Sequence, residues 1–221
     1  VIESRGLGDV YKRQDLGVGN LRSVHQALIT VAPDAHIEIT HDPAAVERAD
    51  RVVLPGQGAI ETWFESLRKH NLEASIREAA AQKPLFGICV GMQAMFDHSD
   101  EDGGVAGLGL FTGQVRHFSQ FHKTEIGFKV PQMGWNQVKQ TQDHPMWQGI
   151  ADQRHFYFLH SYCVNVPDSS ANYVQGLADY GHEYVAAVGA GNVFAVQFHP
   201  EKSHDDGLQL LKNFTQWNPR A

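Results

Sequence analysis

The stretch Gly87-Ile88-Cys89-Val90-Gly91-Met92-Gln93 constrains this chain more than any other. Pro84-Leu85-Phe86 before it reads as the end of a buried strand, and Met92 to Phe96 after it as the first turns of a helix. A residue caught at such a corner needs a tight backbone, and glycines two before and two after it remove the Cβ atoms that would clash. That is the layout of G-x-S-x-G, with Cys89 where a serine would stand. The corner lifts the sulfur above the sheet, and the helix behind it directs free N–H groups and partial positive charge at a thiolate. A lone cysteine among apolar residues is also, commonly, a small buried hydrophobe, so the motif alone leaves two readings open.

A distant segment bears on the choice. Val193 to Phe198 runs as a strand into His199-Pro200-Glu201-Lys202-Ser203. In extended chain, residues i and i+2 project to one side, so His199 and Glu201 can share one edge of a site. A thiol needs a base, and the base needs an acceptor to hold its tautomer. Cys89, His199 and Glu201 supply those three roles.

Through the first half, strands and helices alternate. Asp15-Leu16-Gly17-Val18-Gly19-Asn20 is a tight glycine-rich turn, after which Leu21, Val24, Leu28 and Val31 recur at helical spacing. His36 to Thr40 reads as a strand, Asp42-Pro43 as a helix cap, and Arg51 to Leu54 as a buried strand entering the Pro55-Gly56-Gln57-Gly58 loop. A long amphipathic helix is expected over Ile60 to Ala81. After about residue 105 short strands follow without helices between them: Gly113 to Phe118, Thr124 to Val130, Asn136 to Lys139, Phe156 to Cys163, Asn172 to Leu177, Tyr184 to Val188 and Val193 to Phe198. Leu208, Leu211 and Phe214 mark a closing helix. The fold class is α/β: a mostly parallel central sheet flanked by helices, with an added antiparallel or mixed portion. Ligands bind beyond the C-terminal ends of such strands, where both the Pro55 loop and Cys89 fall.

With 221 residues the chain can form one domain burying roughly 70% of its unfolded surface. A net charge of -7 with a pI near 6.0 leaves no basic stripe, which argues against nucleic acid and anionic membrane as partners. No window reaches the roughly 18 apolar residues of a membrane span, no charged-then-apolar leader opens the chain, and a cytoplasmic location is expected. Two cysteines, Cys89 and Cys163, are too few for a disulfide framework. Thirteen histidines without ligand spacing imply no metal site, and no cofactor is expected.

Taken together, G-I-C-V-G-M-Q at Gly87, F-H-P-E-K-S at Phe198, P-G-x-G at Pro55, D-x-G-x-G-N-L-R-S at Asp15, M-G-W-N at Met133 and H-S-Y at His160 resemble the triad-type, class I glutamine amidotransferases. Within them, M-G-W-N and the lysine of H-P-E-K-S are similar to the glutaminase subunits of imidazole glycerol phosphate synthase. The resemblance spans roughly Asp15 to the C-terminus. It implies a glutamine substrate, Cys89 as nucleophile, His199 as base, Glu201 as its orienting group, and main-chain oxyanion donors at Val90 and Gln57. It further implies glutamine contacts at Gly56, Gly58, Gln93, Ser161 and Tyr162, and a heterodimer with a (β/α)8-barrel synthase subunit faced by Asn20, Trp135, Tyr157 and Lys202. Four of these side chains also have an ordinary reading: Gln93 bonding along its helix, Trp135 and Tyr157 as core aromatics, Lys202 as a solvated charge. Another amidotransferase, a γ-glutamyl hydrolase of the same fold and a catalytically silent binding subunit are the competing functions.

Residues 1 to 14 depart from this pattern. Glu3, Arg5, Asp9, Lys12 and Arg13 interrupt every apolar run, and burying an unpaired charge costs more than a two-residue apolar contact returns. The segment is expected to be atypical, foreign or disordered, with Val1 to about Gly8 loosely attached and only Val10 to Gln14 able to form a short strand.

Overall fold

The computed structural model describes residues 2–3, 19–121, 128–168 and 171–219. In chain order the strands are β1 (Ile2–Glu3), β2 (His36–Ile37), β3 (Val52–Gly56), β4 (Leu85–Cys89), β5 (His98–Ser99), β6 (Val105–Ala106), β7 (Gln114–His117), β8 (Gln132–Gln140), β9 (Arg154–His160), β10 (Tyr162–Asn165), β11 (Val174–Asp179), β12 (Glu183–Ala190) and β13 (Val193–Val196). The helices are α1 (Gly19–Val31), α2 (Pro43–Arg48), α3 (Ile60–Lys69), α4 (Glu73–Gln82), α5 (Val90–Gln93) and α6 (His204–Gln216).

The site is positioned by the three parallel strands β3, β4 and β13, with β4 in the middle. Leu85, Phe86 and Ile88 of β4 are fully buried, as a strand covered on both faces requires. The registers place Gly56 level with Cys89 and Val196 level with Ile88, so the Pro55 loop, Cys89 and the exit from β13 leave the sheet together. From β13 the main sheet continues through β12, β10, β7, β5 and β6, with β11 joining β12 to β8 and β8 to β9. Most of these pairings are antiparallel, so the parallel part is narrower than the sequence implies. Between β4 and β13 the described residues hold no α-helix longer than the single turn α5, so no crossover helix carries the chain back across the sheet there and most strands pair antiparallel.

The helix expected over residues 60–81 is two helices. Asn71, at φ 55°, breaks it between α3 and α4. The break turns the chain so that Leu72 joins Phe64, Leu67 and Ile76 in the core, a gain that outweighs one left-handed residue, and asparagine adopts that conformation more readily than most. The Asp42 cap is present: its Oδ1 accepts from Ala44 N–H at 3.0 Å with Pro43 at the first helical position. The strand expected over Phe156 to Cys163 is interrupted at Ser161, dividing it into β9 and β10.

Two aromatic contacts lock the site to the core. Phe86 stacks on Phe214 of α6 at 5.2 Å, and Phe156 of β9 stacks on Phe198 at 4.1 Å, directly before His199. Ile2–Glu3 pairs antiparallel with β2 in a separate two-stranded sheet. The expected strand at Val10 to Gln14, the Asp15 turn up to Val18, and Thr124 to Gly127 of the expected Thr124 strand lie outside the described residues; Phe128 to Val130 are not strand. Among the described residues no helix is long and apolar enough to cross a membrane.

Candidate active site

Cys89 ends β4 with φ 55° and ψ −111°, a backbone that costs a non-glycine residue about 1–3 kcal/mol and persists only where its surroundings hold it. They do so by leaving no alternative. An ideal Cβ on Gly91 would lie 1.9 Å from the Leu54 carbonyl oxygen, and one on Gly87 would lie 2.7 Å from the Met95 methyl. The helix behind the cysteine is shorter than the sequence predicts: α5 is a single turn. The carbonyls of Ala94 and Met95 accept from Leu108 and Leu110 N–H at 2.7 and 2.8 Å, which takes them out of a continuing helix. The dipole that such a turn directs at the sulfur is correspondingly small.

His199 follows Phe198 at the exit from β13. Its N–H donates to the Tyr157 carbonyl at 2.9 Å, while its own carbonyl accepts from Ser203 Oγ at 2.7 Å, and that hydroxyl takes the Tyr157 N–H at 2.9 Å. The base is thus pinned between β9 and the turn Pro200–Lys202. Glu201 sits in that 3-10 turn, not in extended chain, yet its Oε1 lies 2.9 Å from His199 Nδ1 with both side chains almost fully buried. Burial alone would lower the His199 pKa; hydrogen bonds to Cys89 and Glu201, and the charge of both, outweigh it and raise the value to about 9. The imidazole therefore favours its protonated form beside the sulfur. Cys163 is different: burial pushes its thiol up to about 12, so it stays protonated.

The Pro55 loop closes on the cysteine. An ideal Cβ on Gly56 would meet Val90 Cβ at 2.6 Å and Gly91 N at 2.7 Å, so only glycine allows the approach. Gln57 and Gly58 (φ +86°) follow at the surface. Val90 N–H, in the first turn of α5, has no intrahelical partner. Glu101 caps the other end of the loop, its Oε2 accepting from Ile60 N–H at 3.1 Å, and burial raises its pKa.

This arrangement can generate a thiolate, hold its conjugate acid in place and present main-chain donors next to it, which is the equipment of acyl transfer through a thioester. A model of the class-I glutamine amidotransferases matches residues 14–217. The chain belongs to that family. Within it, this amidotransferase is 50% identical over 208 residues to the imidazole glycerol phosphate synthase subunit HisH of Dechloromonas aromatica, covering 93% of this chain and 95% of that protein. It is 49% identical over 208 residues to the subunit of the same name from Nitrosospira multiformis, covering 93% and 96%. A crystal structure of a glutamine amidotransferase superposes with a TM-score of 0.62 at 19% identity, covering 89% of this chain and 95% of that one, and so shares the fold.

The remaining sequence-predicted positions of the amidotransferase fall into two groups. Gln93 is buried, and its Nε2 donates to the Tyr162 carbonyl at 2.9 Å and to Gln197 Oε1 at 3.0 Å. Both hydrogens of its amide group are thus engaged. Ser161 is the break after β9 and Tyr162 opens β10; burial first, then Glu101, Asp102 and Asp100, raise the Tyr162 phenol pKa. Trp135 is not a core aromatic: it is 45% exposed, stacks on His204 at 4.9 Å and meets Tyr157 edge-on at 6.0 Å. Lys202 Nζ lies over the Tyr157 ring at 5.9 Å. With Met133, 66% exposed, these residues make one apolar and cationic face beside His199. Asn20 is in the first turn of α1, and its side chain lies outside the described residues.

Sequence reasoning missed Gln197, whose Nε2 lies 3.7 Å from Cys89 Sγ, and His160, buried and within electrostatic reach of His199. The signal for Gln197 was available: a polar residue inside the apolar run Val193 to Phe198 is one that needs a partner.

Proposed function

We propose that this chain hydrolyses glutamine to glutamate and ammonia through a Cys89-His199-Glu201 triad. We further propose that it passes the ammonia to a (β/α)8-barrel synthase subunit in a cytoplasmic heterodimer of histidine biosynthesis, which yields imidazole glycerol phosphate and an aminoimidazole carboxamide ribonucleotide. The observation that carries this reading is the strained cysteine at the end of β4, hydrogen-bonded to a histidine whose far nitrogen is held at 2.9 Å by a buried glutamate.

In this reading the Cys89 thiolate attacks the glutamine carboxamide carbon while main-chain N–H groups of Val90 and Gln57 take the developing oxyanion. Protonated His199 gives its proton to the departing ammonia, then accepts one from the water that cleaves the thioester to glutamate. Glu201 holds the imidazole through Nδ1. Gly56, Gly58, Gln93, Ser161 and Tyr162 surround the bound glutamine. The face where exposed Trp135 meets part-buried Tyr157 and Lys202 suits a partner subunit, because aromatics and cations are characteristic of interface centres, and Asn20 is assigned to the same partner.

Incubating the purified chain with glutamine, alone and with the barrel subunit plus its ribonucleotide ligand, tests this. Glutamate release that rises on adding the partner is expected, and Cys89→Ala should abolish it. Equal release with and without partner would favour a free-standing hydrolase; none under any condition would leave a silent binding subunit.

A further inference from the structure

We infer that Gln197 is a further catalytic residue of this chain, its side-chain N–H donating a hydrogen bond to the Cys89 sulfur that favours the thiolate. The inference rests on the reading of Cys89 as nucleophile.

Gln197 is completely buried, and a buried amide is retained only where its polar atoms are satisfied. Its main-chain N–H donates to the Ala186 carbonyl at 2.9 Å, which fixes the residue beside β12 as β13 ends. Its side chain lies between Gln93 and Cys89, with Oε1 3.0 Å from Gln93 Nε2 and Nε2 3.7 Å from Cys89 Sγ.

Which end of each amide faces which neighbour follows from chemistry. The Tyr162 carbonyl oxygen can only accept, so the Gln93 atom 2.9 Å from it must be the NH2 group. The second hydrogen of that group faces Gln197, so the Gln197 atom receiving it must be the carbonyl oxygen. That leaves the Gln197 NH2 group turned to the sulfur. The same Tyr162 oxygen lies 2.7 Å from His160 Nδ1, and His160 is held neutral by burial, which lowers its pKa to about 4; its Nδ1 therefore carries the hydrogen. One main-chain carbonyl thus sets the polarity of a relay ending on Cys89.

A fixed N–H donor is worth more to a thiolate than to a thiol, because hydrogen bonds to an ionised acceptor are stronger. The Cys89 sulfur also lies 3.9 Å from the Leu159 carbonyl oxygen, to which a thiol, but not a thiolate, can donate. Once that proton moves to His199, the sulfur bears a full negative charge with the Gln197 N–H already aimed at it. The same contact assists the second half of the reaction: when water adds to the thioester and the C–S bond breaks, the electron pair returns to sulfur as thiolate, and the donor stabilises it as a leaving group.

The test is Gln197→Met, which keeps the volume and removes the donor. The readouts are the pH midpoint of Cys89 alkylation by iodoacetamide and the kinetics of glutamine hydrolysis in the complex with the partner subunit. Cys163 is buried with its thiol pushed up to about 12, so the titrating label reports Cys89, and Cys89→Ala supplies the blank. The alkylation midpoint should rise by about one pH unit and kcat should fall about tenfold, with KM changed less than kcat. A midpoint that coincides with the parent's, whatever the change in melting temperature, overturns the inference and leaves Gln197 a packing residue. If Gln197→Met does not fold, Gln197→Asn, which withdraws the amide by one methylene, is read by the same midpoint. Glutamine hydrolysis surviving in Cys89→Ala would instead remove the nucleophile itself, an outcome separate from failure of the Gln197 contact.

Discussion

Replacing Gly91 by alanine tests the corner that presents the cysteine. An ideal Cβ there would sit 1.9 Å from the Leu54 carbonyl oxygen and 3.0 Å from its carbon, and both neighbours are backbone of β3. Real Cβ atoms do not come within 3.0 Å of such an atom, so β3 and α5 must part by about 1 Å. Neither can swing aside as a side chain would: β3 is hydrogen-bonded to β4 through Leu54↔Gly87 and Gly56↔Cys89. Core overpacking costs about 1–3 kcal/mol, and a backbone clash belongs at or beyond the top of that range. Against it stands about 1 kcal/mol of helix propensity that alanine gains over glycine. A net loss of about 2–3 kcal/mol in a chain of this size lowers the melting temperature by about 4–12 °C. Gly191→Ala is the control: φ is +56° but nothing lies within 4 Å, so only conformational strain of about 1–2 kcal/mol applies. Melting followed by circular dichroism, with glutamate release in parallel, separates the two. Gly91→Ala should melt lower than Gly191→Ala and lose activity, because the strand it displaces ends in Gly56 and leads into Gln57. If Gly91→Ala melts with the parent and keeps its activity, the close approach of β3 to the elbow is not what holds Cys89 in place.

Other outcomes follow from the same geometry. His199→Asn should cost about 10²–10⁴-fold in kcat for glutamine hydrolysis, whereas Glu201→Gln, which keeps the shape of the orienting group and loses its charge, should cost less; equal losses would mean that Glu201 does more than hold the imidazole. His160, depressed to about 4 by burial, refuses in the folded chain a proton that the unfolded chain takes up near 6.5, so stability should fall between pH 6.5 and 4 by up to about 3 kcal/mol from this residue. Urea unfolding at pH 7 and pH 4.5 should show that loss and His160→Asn should reduce it; an unchanged pH dependence in the variant would place the acid sensitivity elsewhere, for example at His144, which burial also depresses. His199 acts in the opposite direction: its raised value stabilises the fold below about 6.5, a contribution lost as pH climbs towards 9. Lys83 Nζ donates to the carbonyls of Val46, Glu47 and Ala49 at 3.2, 2.7 and 2.8 Å, so Lys83→Met should lower the melting temperature by about 2–4 °C through roughly 1 kcal/mol of lost cap, with glutaminase kinetics unchanged.

Some of this was written locally in the chain. Glycines flanking Cys89 determine a tight corner because only a residue without Cβ tolerates a carbonyl at 1.9 Å, and Asp42-Pro43 determines a helix start because a carboxylate followed by a ring with fixed φ satisfies the first turn. The burial of Leu85 to Ile88 follows from their unbroken apolar character. In each case the cause lies within a few residues, where sequence spacing and spatial contact are nearly the same thing.

Other features depend on partners far away in the chain. Nothing near Ile60 to Ala81 compels a break at Asn71, which is stabilised by what Leu72 buries against; nothing near Met92 to Phe96 shows that Leu108 and Leu110 will take the carbonyls a longer helix would use. Whether Trp135 packs inside or faces out was open until β8 paired with β9 and left it against His204 at the surface. His199 and Glu201 meet through a 3-10 turn where extended chain had been expected, because Tyr157 and Ser203 hold the backbone on either side. Gln197 joins the site for a similar reason: the direction of its amide is set by a carbonyl of Tyr162, 35 positions earlier in the sequence, through a glutamine more than a hundred positions away. Hydrogen-bond polarity is relayed from atom to atom in space, and a linear pattern of residue types does not carry it.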